Sequence, residues 1–273
     1  MVVQHNMQAM NANRQLGVTT DSQKKVTEKL SSGYKVKRAA DDAAGITISE
    51  KMRSQIRGLT QASANAQDGV SCVQTAEGAL TEVHSMLQRM NELAVKAANG
   101  TNTSADREAI QKEVTALTSE ISRVAQSTQF NTLNLLNGSF SEGKKLQVGS
   151  AAVDAQMITI KISAMNATSL SINDVSVATQ TDAQTAIGKI TKAIANVSAQ
   201  RSDLGAVQNR LEHTIANLDN VVENTTAAES QIRDTDMAKT MVEYTKNNIL
   251  SQAGTAMLAQ ANQSTQNVLS LLG

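Results

Sequence analysis

The sequence has no proline, no tryptophan and only four aromatic residues among 273, namely Tyr34, Phe130, Phe140 and Tyr244. Proline removes a backbone donor and clashes inside helices, so its absence permits long uninterrupted helix. So few rings leave little for a wide core, a sugar platform or a base-stacking surface. Thin interfaces built from Ala, Val, Leu, Ile and Met are expected instead. The single cysteine, Cys72, has no intrachain partner, which excludes a disulfide framework. Charge of either sign is not in excess, with 25 basic and 25 acidic side chains. A nucleic-acid partner is therefore not expected, because such binding rests on a net basic face. No apolar run approaches the ~18 residues of a membrane span. The start, Met1-Val2-Val3-Gln4-His5-Asn6, lacks the basic and apolar regions of a secretory signal.

What is present is seven-residue periodicity. From Leu59, alternating steps of three and four land on Ala62, Ala66, Gly69, Val73, Ala76, Leu80, Val83, Leu87, Met90, Ala94 and Ala97, every one apolar or small. A 3.5-residue repeat sustained this far predicts one straight or gently supercoiled helix with a continuous seam. At ~1.5 Å per residue it would be roughly 58 Å long. Asn99-Gly100-Thr101-Asn102 should stop it, with Gly100 available for a left-handed cap. Ser104 is then the expected N-cap of a second helix with the seam Ile110, Val114, Leu117, Ile121 and Val124. This helix should end before Phe130-Asn131, and Asn137-Gly138-Ser139 reads as a turn.

The middle differs. Ile158-Thr159-Ile160-Lys161-Ile162 alternates strictly, predicting a strand, with Lys145-Leu146-Gln147-Val148 as hairpin partner. Residues 163–182 read as loop with room for one more strand. A third long helix follows, stepping through Ile187, Ile190, Ile194, Val197, Arg201, Leu204, Gln208, Leu211, Ile215, Leu218, Val222 and Thr225. Both chain ends carry diluted seams: Ala12, Leu16, Thr19, Gln23, Val26 and Leu30, then Leu250, Gly254, Met257, Ala261, Ser264, Val268 and Leu271. Lone helices of this sort are marginal in water, so the ends should need one another or other copies. The expected fold is mainly α: an elongated antiparallel helical rod or coiled-coil bundle with a small β-hairpin, plus paired terminal helices.

Signals of chemistry are scarce. His5, His84 and His213 are scattered, and none forms a helical zinc pair. Cys72 precedes seam residue Val73 and reads as a buried structural thiol. Asp41-Asp42 could pair for acid–base work or metal binding, but their position favours capping the helix that opens at Ala43-Ala44. Asn-x-Ser/Thr triplets such as Asn99-Gly100-Thr101 carry no weight in so Asn-, Ser- and Thr-rich a chain. No catalytic, cofactor or metal site is expected, and the heptads alone describe only a generic coiled coil.

Several longer blocks resemble bacterial flagellin. They are Leu30-Ser31-Ser32-Gly33-Tyr34-Lys35-Val36-Lys37-Arg38-Ala39-Ala40-Asp41-Asp42-Ala43-Ala44-Gly45, Leu87-Gln88-Arg89-Met90-Asn91-Glu92-Leu93-Ala94-Val95, and Leu204-Gly205-Ala206-Val207-Gln208-Asn209-Arg210-Leu211-Glu212. Shorter ones are Gln55-Ile56-Arg57-Gly58-Leu59, Gln129-Phe130-Asn131 and the closing Val268-Leu269-Ser270-Leu271-Leu272. The blocks cover roughly residues 1–140 and 185–273 in the family's order. Two departures stand out: Thr265 replaces a usual Pro, which should let the last helix run on, and Thr132 follows Phe130-Asn131 where Gly is common.

The resemblance implies a non-enzymatic, short-form filament subunit, exported through the flagellum's own secretion apparatus to the extracellular filament. It implies filament-core segments at 1–44 and 235–273, a helical rod from 45–140 and 185–234, and a short variable β-hairpin and loop region at 141–184. Candidate polymer-core residues are Leu16, Val26, Leu30, Leu250, Gly254, Met257, Ala261, Val268, Leu271 and Leu272. Implied partners are other copies of the chain, an export chaperone, and the hook-associated and cap proteins, with neither nucleic acid nor membrane. A further implied partner is the vertebrate flagellin sensor, Toll-like receptor five, through Gln88, Arg89, Leu93 and Glu113, with Arg89 and Leu93 projecting outward from one helical face. Competing readings are a hook–filament junction protein, which would share the terminal helices, and a signalling coiled-coil hairpin such as a chemoreceptor's. A metalloprotease insert would need His-Glu-x-x-His, which the sequence lacks.

Overall fold

The computed structural model describes residues 6–272, and side chains through Ser264. Val268, Leu271 and Leu272 therefore lie outside the residues whose side chains are described. The described chain forms five α-helices, α1 (Met7–Ser32), α2 (Ala43–Ala97), α3 (Ser104–Ser127), α4 (Gln180–Arg233) and α5 (Met237–Leu272). Four short strands complete it: β1 (Gln129–Phe130), β2 (Leu133–Asn134), β3 (Lys144–Gln147) and β4 (Met157–Ile160). They sort into two compact units, one of Met1–Ser54 with Asn224–Gly273, the other Gln55–Glu223.

Each helix starts where a side chain can satisfy its orphan amides. Asn6 accepts from the Ala9 amide at 3.0 Å, Asp42 from Gly45 at 2.9 Å, Thr179 from Asp182 at 3.1 Å and Asp236 from Lys239 at 3.0 Å. At α3 the cap is Thr103 rather than Ser104, because Asp106 completes a reciprocal capping box with Thr103. Gly100 does not enter the left-handed region. The free carbonyls at the end of α2 are met instead by Arg107, whose guanidinium donates to Ala97 O at 3.0 Å and Asn99 O at 3.1 Å. The left-handed glycine cap is at Gly33, with φ 74° and its amide donating to Lys29 O, closing α1.

In the Gln55–Glu223 unit, all twelve seam positions from Leu59 to Ala97 are buried. They pack against antiparallel α4, as Leu59 meets Leu218 and Ala66 meets Leu211 farther along. The α4 seam departs from the expected frame. Ile190, Val197, Leu204, Leu211 and Leu218 are buried as anticipated, but the alternate positions are Ala183, Ala186, Ala193 and Gln200. Ile187 and Ile194 stand beside the seam, partly covered. Small alanines take the close-approach positions, and the larger isoleucines fill the flank. Arg201 reaches Glu77 at 3.6 Å at the edge of this interface. Leu93, expected to project outward, is 3% exposed and belongs to the main core, because α2 is covered by more than one element.

The β3–β4 hairpin forms in the expected region, antiparallel, with Leu146 opposite Ile158. Leu146, Val148 and Ile158 pack on Ala66 and Leu211, and Gly69 on α2 lets the Leu146 methyl come close. A second hairpin, β1–β2, was not anticipated. Its loop is Asn131-Thr132, with φ 46° and 64°, as a type I′ turn demands.

No strand forms across residues 163–179; the segment is a loop whose Met165, Ala167, Leu170, Ile172, Val175 and Val177 are nonetheless buried. Its backbone pairs with two glutamines. Gln200 accepts from the Ser163 amide at 3.1 Å and donates to Lys161 O at 3.1 Å. Gln111 accepts from Val177 N at 2.6 Å and donates to Val175 O at 3.2 Å. Each amide side chain stands in for a neighbouring strand.

In the other unit, α1 and α5 run antiparallel. Asn6 Nδ2 donates to Ala261 O at 2.9 Å near one end, and Tyr34 forms a β-bridge with Asp234 near the other. α1 turns Ala12, Leu16, Thr19, Gln23, Val26 and Leu30 inward, as its seam predicts. The expected α5 seam is only partly covered within the chain. Leu250 is 47% and Met257 62% exposed, while Thr240, Tyr244, Asn247, Ser251, Gly254, Leu258 and Ala261 form the covered face. On α5 mostly small and polar residues, with Tyr244 and Leu258, face α1, while several larger apolar side chains stay exposed.

Candidate functional site

The α1–α5 pair carries an unusual surface. Of fourteen exposed large hydrophobic residues among those described, eleven lie in the terminal unit, including Met7, Met10, Val18, Met237, Met241, Val242, Ile249, Leu250 and Met257. Apolar exposure concentrated in this way points to an interaction surface. A groove of about 730 Å³ runs along the pair, with Gln8, Ala12 and Leu16 on one wall and Leu250, Ala253 and Met257 on the other. Gly254 lies at its floor against Leu16. The polymer-core candidates thus divide: Val26 and Gly254 are engaged within the pair, whereas Leu250 and Met257 remain available to another molecule.

Where the ends of the pair meet the remainder of the same unit, charges converge. The Arg233 guanidinium sits 4.6 Å from the Tyr34 ring centroid and pairs with Glu50 at 3.2 Å. Glu229 accepts from Ser49 at 2.7 Å. Nearby, Asp42 caps α2, while Asp41 accepts from the backbone of Arg38 at 3.0 Å and Lys37 at 3.3 Å. Those backbone donors hold the Asp41 carboxyl below its ordinary value. Lys37 and then Arg38 do the same for Glu28. Both aspartates are occupied in shaping the chain. Among the described residues no cluster of His, Cys, Asp and Glu could hold a metal ion.

On the Gln55–Glu223 unit, Arg89 and Glu113 meet across α2 and α3 at 2.9 Å, and Arg89 also donates to Glu92 at 3.1 Å. Glu113, then Glu92, keep Arg89 firmly charged. Gln88 is exposed and contacts His84. A shallow depression of about 490 Å³ adjoins them, bordered by Lys96, Asn102 and Asp106. Arg89, Gln88 and Glu113 are accessible together, with Leu93 beneath them in the core.

Residues 3–141 match the family described as the bacterial flagellin N-terminal helical region, and 187–272 match the bacterial flagellin C-terminal helical region. The chain belongs to the bacterial flagellins. It is 53% identical to a flagellin of Halalkalibacterium halodurans and 50% identical to one of Bacillus subtilis, covering 100% of both chains in each case. A flagellar filament 31.3 kDa core protein of Treponema maltophilum is 51% identical, again over 100% of both. The crystal structure of Bacillus cereus flagellin superposes with a TM-score of 0.51 at 29% identity, covering 57% of this chain and 88% of that one. A flagellar hook-associated protein of Vibrio parahaemolyticus gives 0.60 at 14% identity, covering 71% and 100%, and shares the fold. Flagellin is a structural protein family.

Two features of these surfaces escaped the sequence. Several large apolar residues of α5 stay exposed beside α1, and hydrophobicity alone cannot say whether a partner lies within the chain or beyond it. The Tyr34–Arg233 contact joins residues too distant in sequence for any spacing rule.

Proposed function

We propose that the chain polymerises into the flagellar filament through the outer faces of α1 and α5. The observation that carries this is the concentration of exposed apolar side chains on that pair. Residues 1–44 and 235–273 then form the filament core, 45–140 and 185–234 the helical rod, and 141–184 the short variable region. A head-to-tail contact repeated by identical subunits produces an open helical polymer. Export through the flagellar secretion apparatus with a chaperone, followed by addition beneath a cap and beyond the hook-associated proteins, is the life cycle that fits such a subunit. Its destination is the extracellular filament. Seeding purified protein with filament fragments tests the reading: elongation in the absence of any other protein supports it, and persistent monomer refutes it in favour of a junction protein.

A second reading concerns Gln88, Arg89 and Glu113, which we propose as the surface read by Toll-like receptor five. The supporting observation is that Arg89 and Glu113 present a planar donor fork and a carboxylate side by side. Leu93 supports that surface from beneath. Binding of the monomer to the receptor ectodomain should weaken for Arg89→Ala and Glu113→Ala. Unchanged affinity in both variants would sink the assignment and leave the pair as a surface bridge.

A further inference from the structure

The methionines divide by exposure. Ten fall within the described residues. Five of them, Met7, Met10, Met237, Met241 and Met257, are between 49% and 70% exposed. The other five, Met52, Met86, Met90, Met157 and Met165, are buried or partly covered. Among the described residues, every exposed methionine lies on α1 or α5, and none lies on α2, α3, α4 or the hairpins. Thioether sulfur is oxidised according to its access to solvent, and the sulfoxide is polar where the thioether was apolar.

We infer that this methionine set is a peroxide-sensitive modification site that controls whether the monomer can assemble. The inference rests on the reading of the α1–α5 face as the assembly surface. In the reaction, a thioether sulfur lone pair attacks one oxygen of hydrogen peroxide and the O–O bond breaks. A proton shift gives methionine sulfoxide and water, with sulfur losing two electrons and peroxide gaining them. Five sulfoxides on a face that must shed water against neighbouring copies oppose the burial that drives association. The Gln55–Glu223 unit, whose Met90 and Met165 are shielded, keeps its packing throughout. Once the face is covered in a polymer the same sulfurs are out of reach, so sensitivity belongs to the monomer.

The experiment treats full-length monomer with graded hydrogen peroxide, quenches it, locates sulfoxides by peptide mass spectrometry and measures seeded elongation. Oxidation of Met7, Met10, Met237, Met241 and Met257 is expected at least tenfold faster than that of Met90 and Met165. Elongation should fall at least tenfold in step with it, with helicity of the shielded unit retained. A variant with all five exposed methionines changed to leucine should elongate and keep its rate after the same treatment. Full oxidation of the five with unchanged elongation overturns the inference, as does a leucine variant that peroxide still inactivates. Should the leucine variant not elongate, the wild-type correlation between sulfoxide content and rate decides. Untreated protein that fails to elongate refutes the assembly reading itself, before any peroxide is added. Equal oxidation of these methionines in finished filaments refutes it as well.

Discussion

Leu16 of α1 lies so close to Gly254 of α5 that a β-carbon on the glycine would stand 3.2 Å from Leu16 Cδ1. The nearest atom is the tip of a flexible side chain, so Gly254→Ala should be accommodated by a small shift of Leu16. Gly254→Leu must push the helices apart, an overpacking that typically costs ~1–3 kcal/mol. Seeded elongation should be retained by the first variant and lost by the second, with thermal unfolding of the 55–223 unit unchanged in both. Normal filaments from Gly254→Leu would show that the α1–α5 pairing seen here does not persist in the polymer.

The terminal pair buries little of its own surface. Among the described residues only Thr19 and Val26 of α1 and Thr240 of α5 are buried. A fragment spanning 45–234 is therefore expected to remain helical, soluble and monomeric. In the full-length monomer, amides of α1 and α5 should exchange with solvent faster than those around Leu80 and Leu87. A fragment that polymerises as well as the whole chain contradicts this division of labour.

Thr132 sits at φ 64° in the second position of the β1–β2 turn. A β-branched side chain is strained in that region, whereas glycine is not. Thr132→Gly should stabilise the 55–223 unit by about 1 kcal/mol, a rise of roughly 2–4 °C in Tm. A lower Tm in calorimetry would mean that the lost side chain mattered more than the relieved backbone.

Gln200 is nearly buried and serves two backbone groups, Ser163 N–H and Lys161 C=O. Gln200→Ala leaves both without their partner and opens a cavity, for an expected loss of about 2–4 kcal/mol. The Ser163 amide should lose its protection from hydrogen exchange well before amides of α2 do. Equal protection in the variant would show that water replaces the side chain.

Asp106 is held below the ordinary carboxylate range by the Thr103 hydroxyl and then by the Thr103 amide. Its folded value is depressed relative to the unfolded chain. The stabilisation is thus present above the unfolded value and is lost as pH falls through the folded one. Melting temperature recorded from about pH 5 down to 2 should decline less steeply in Asp106→Asn than in the wild type. Parallel curves would remove Asp106 from the acid response.

How much of this was legible depends on what each residue faces. The α2 seam could be read directly because every one of its positions is apolar or small and buried. In α4, Ile187 and Ile194 looked like better seam residues than Ala186 and Ala193, yet close helix packing selects the smaller neighbour. Gln200 was invisible for a related reason: its polarity argued for solvent, and its burial depends on a loop whose backbone needed partners. Leu93 misled in the opposite sense, since a one-seam reading leaves no second neighbour to cover it. In the terminal pair, the α1 seam gave the inward-facing side of Leu16 and Val26. Leu250 and Met257 could be read as polymer-core candidates, but whether their partner lies within the chain or in another copy was not legible, because hydrophobicity does not distinguish the two.

The lone thiol gives the protein a clock of its own. Cys72 is 6% exposed within the α2 core, and burial pushes its thiol above the usual range. An alkylating reagent can reach it only during an opening of the surrounding helices. The labelling rate therefore counts openings, with no engineered probe. Comparing that rate in free subunits and in assembled material would measure how far neighbours restrain the breathing of a core they do not enter.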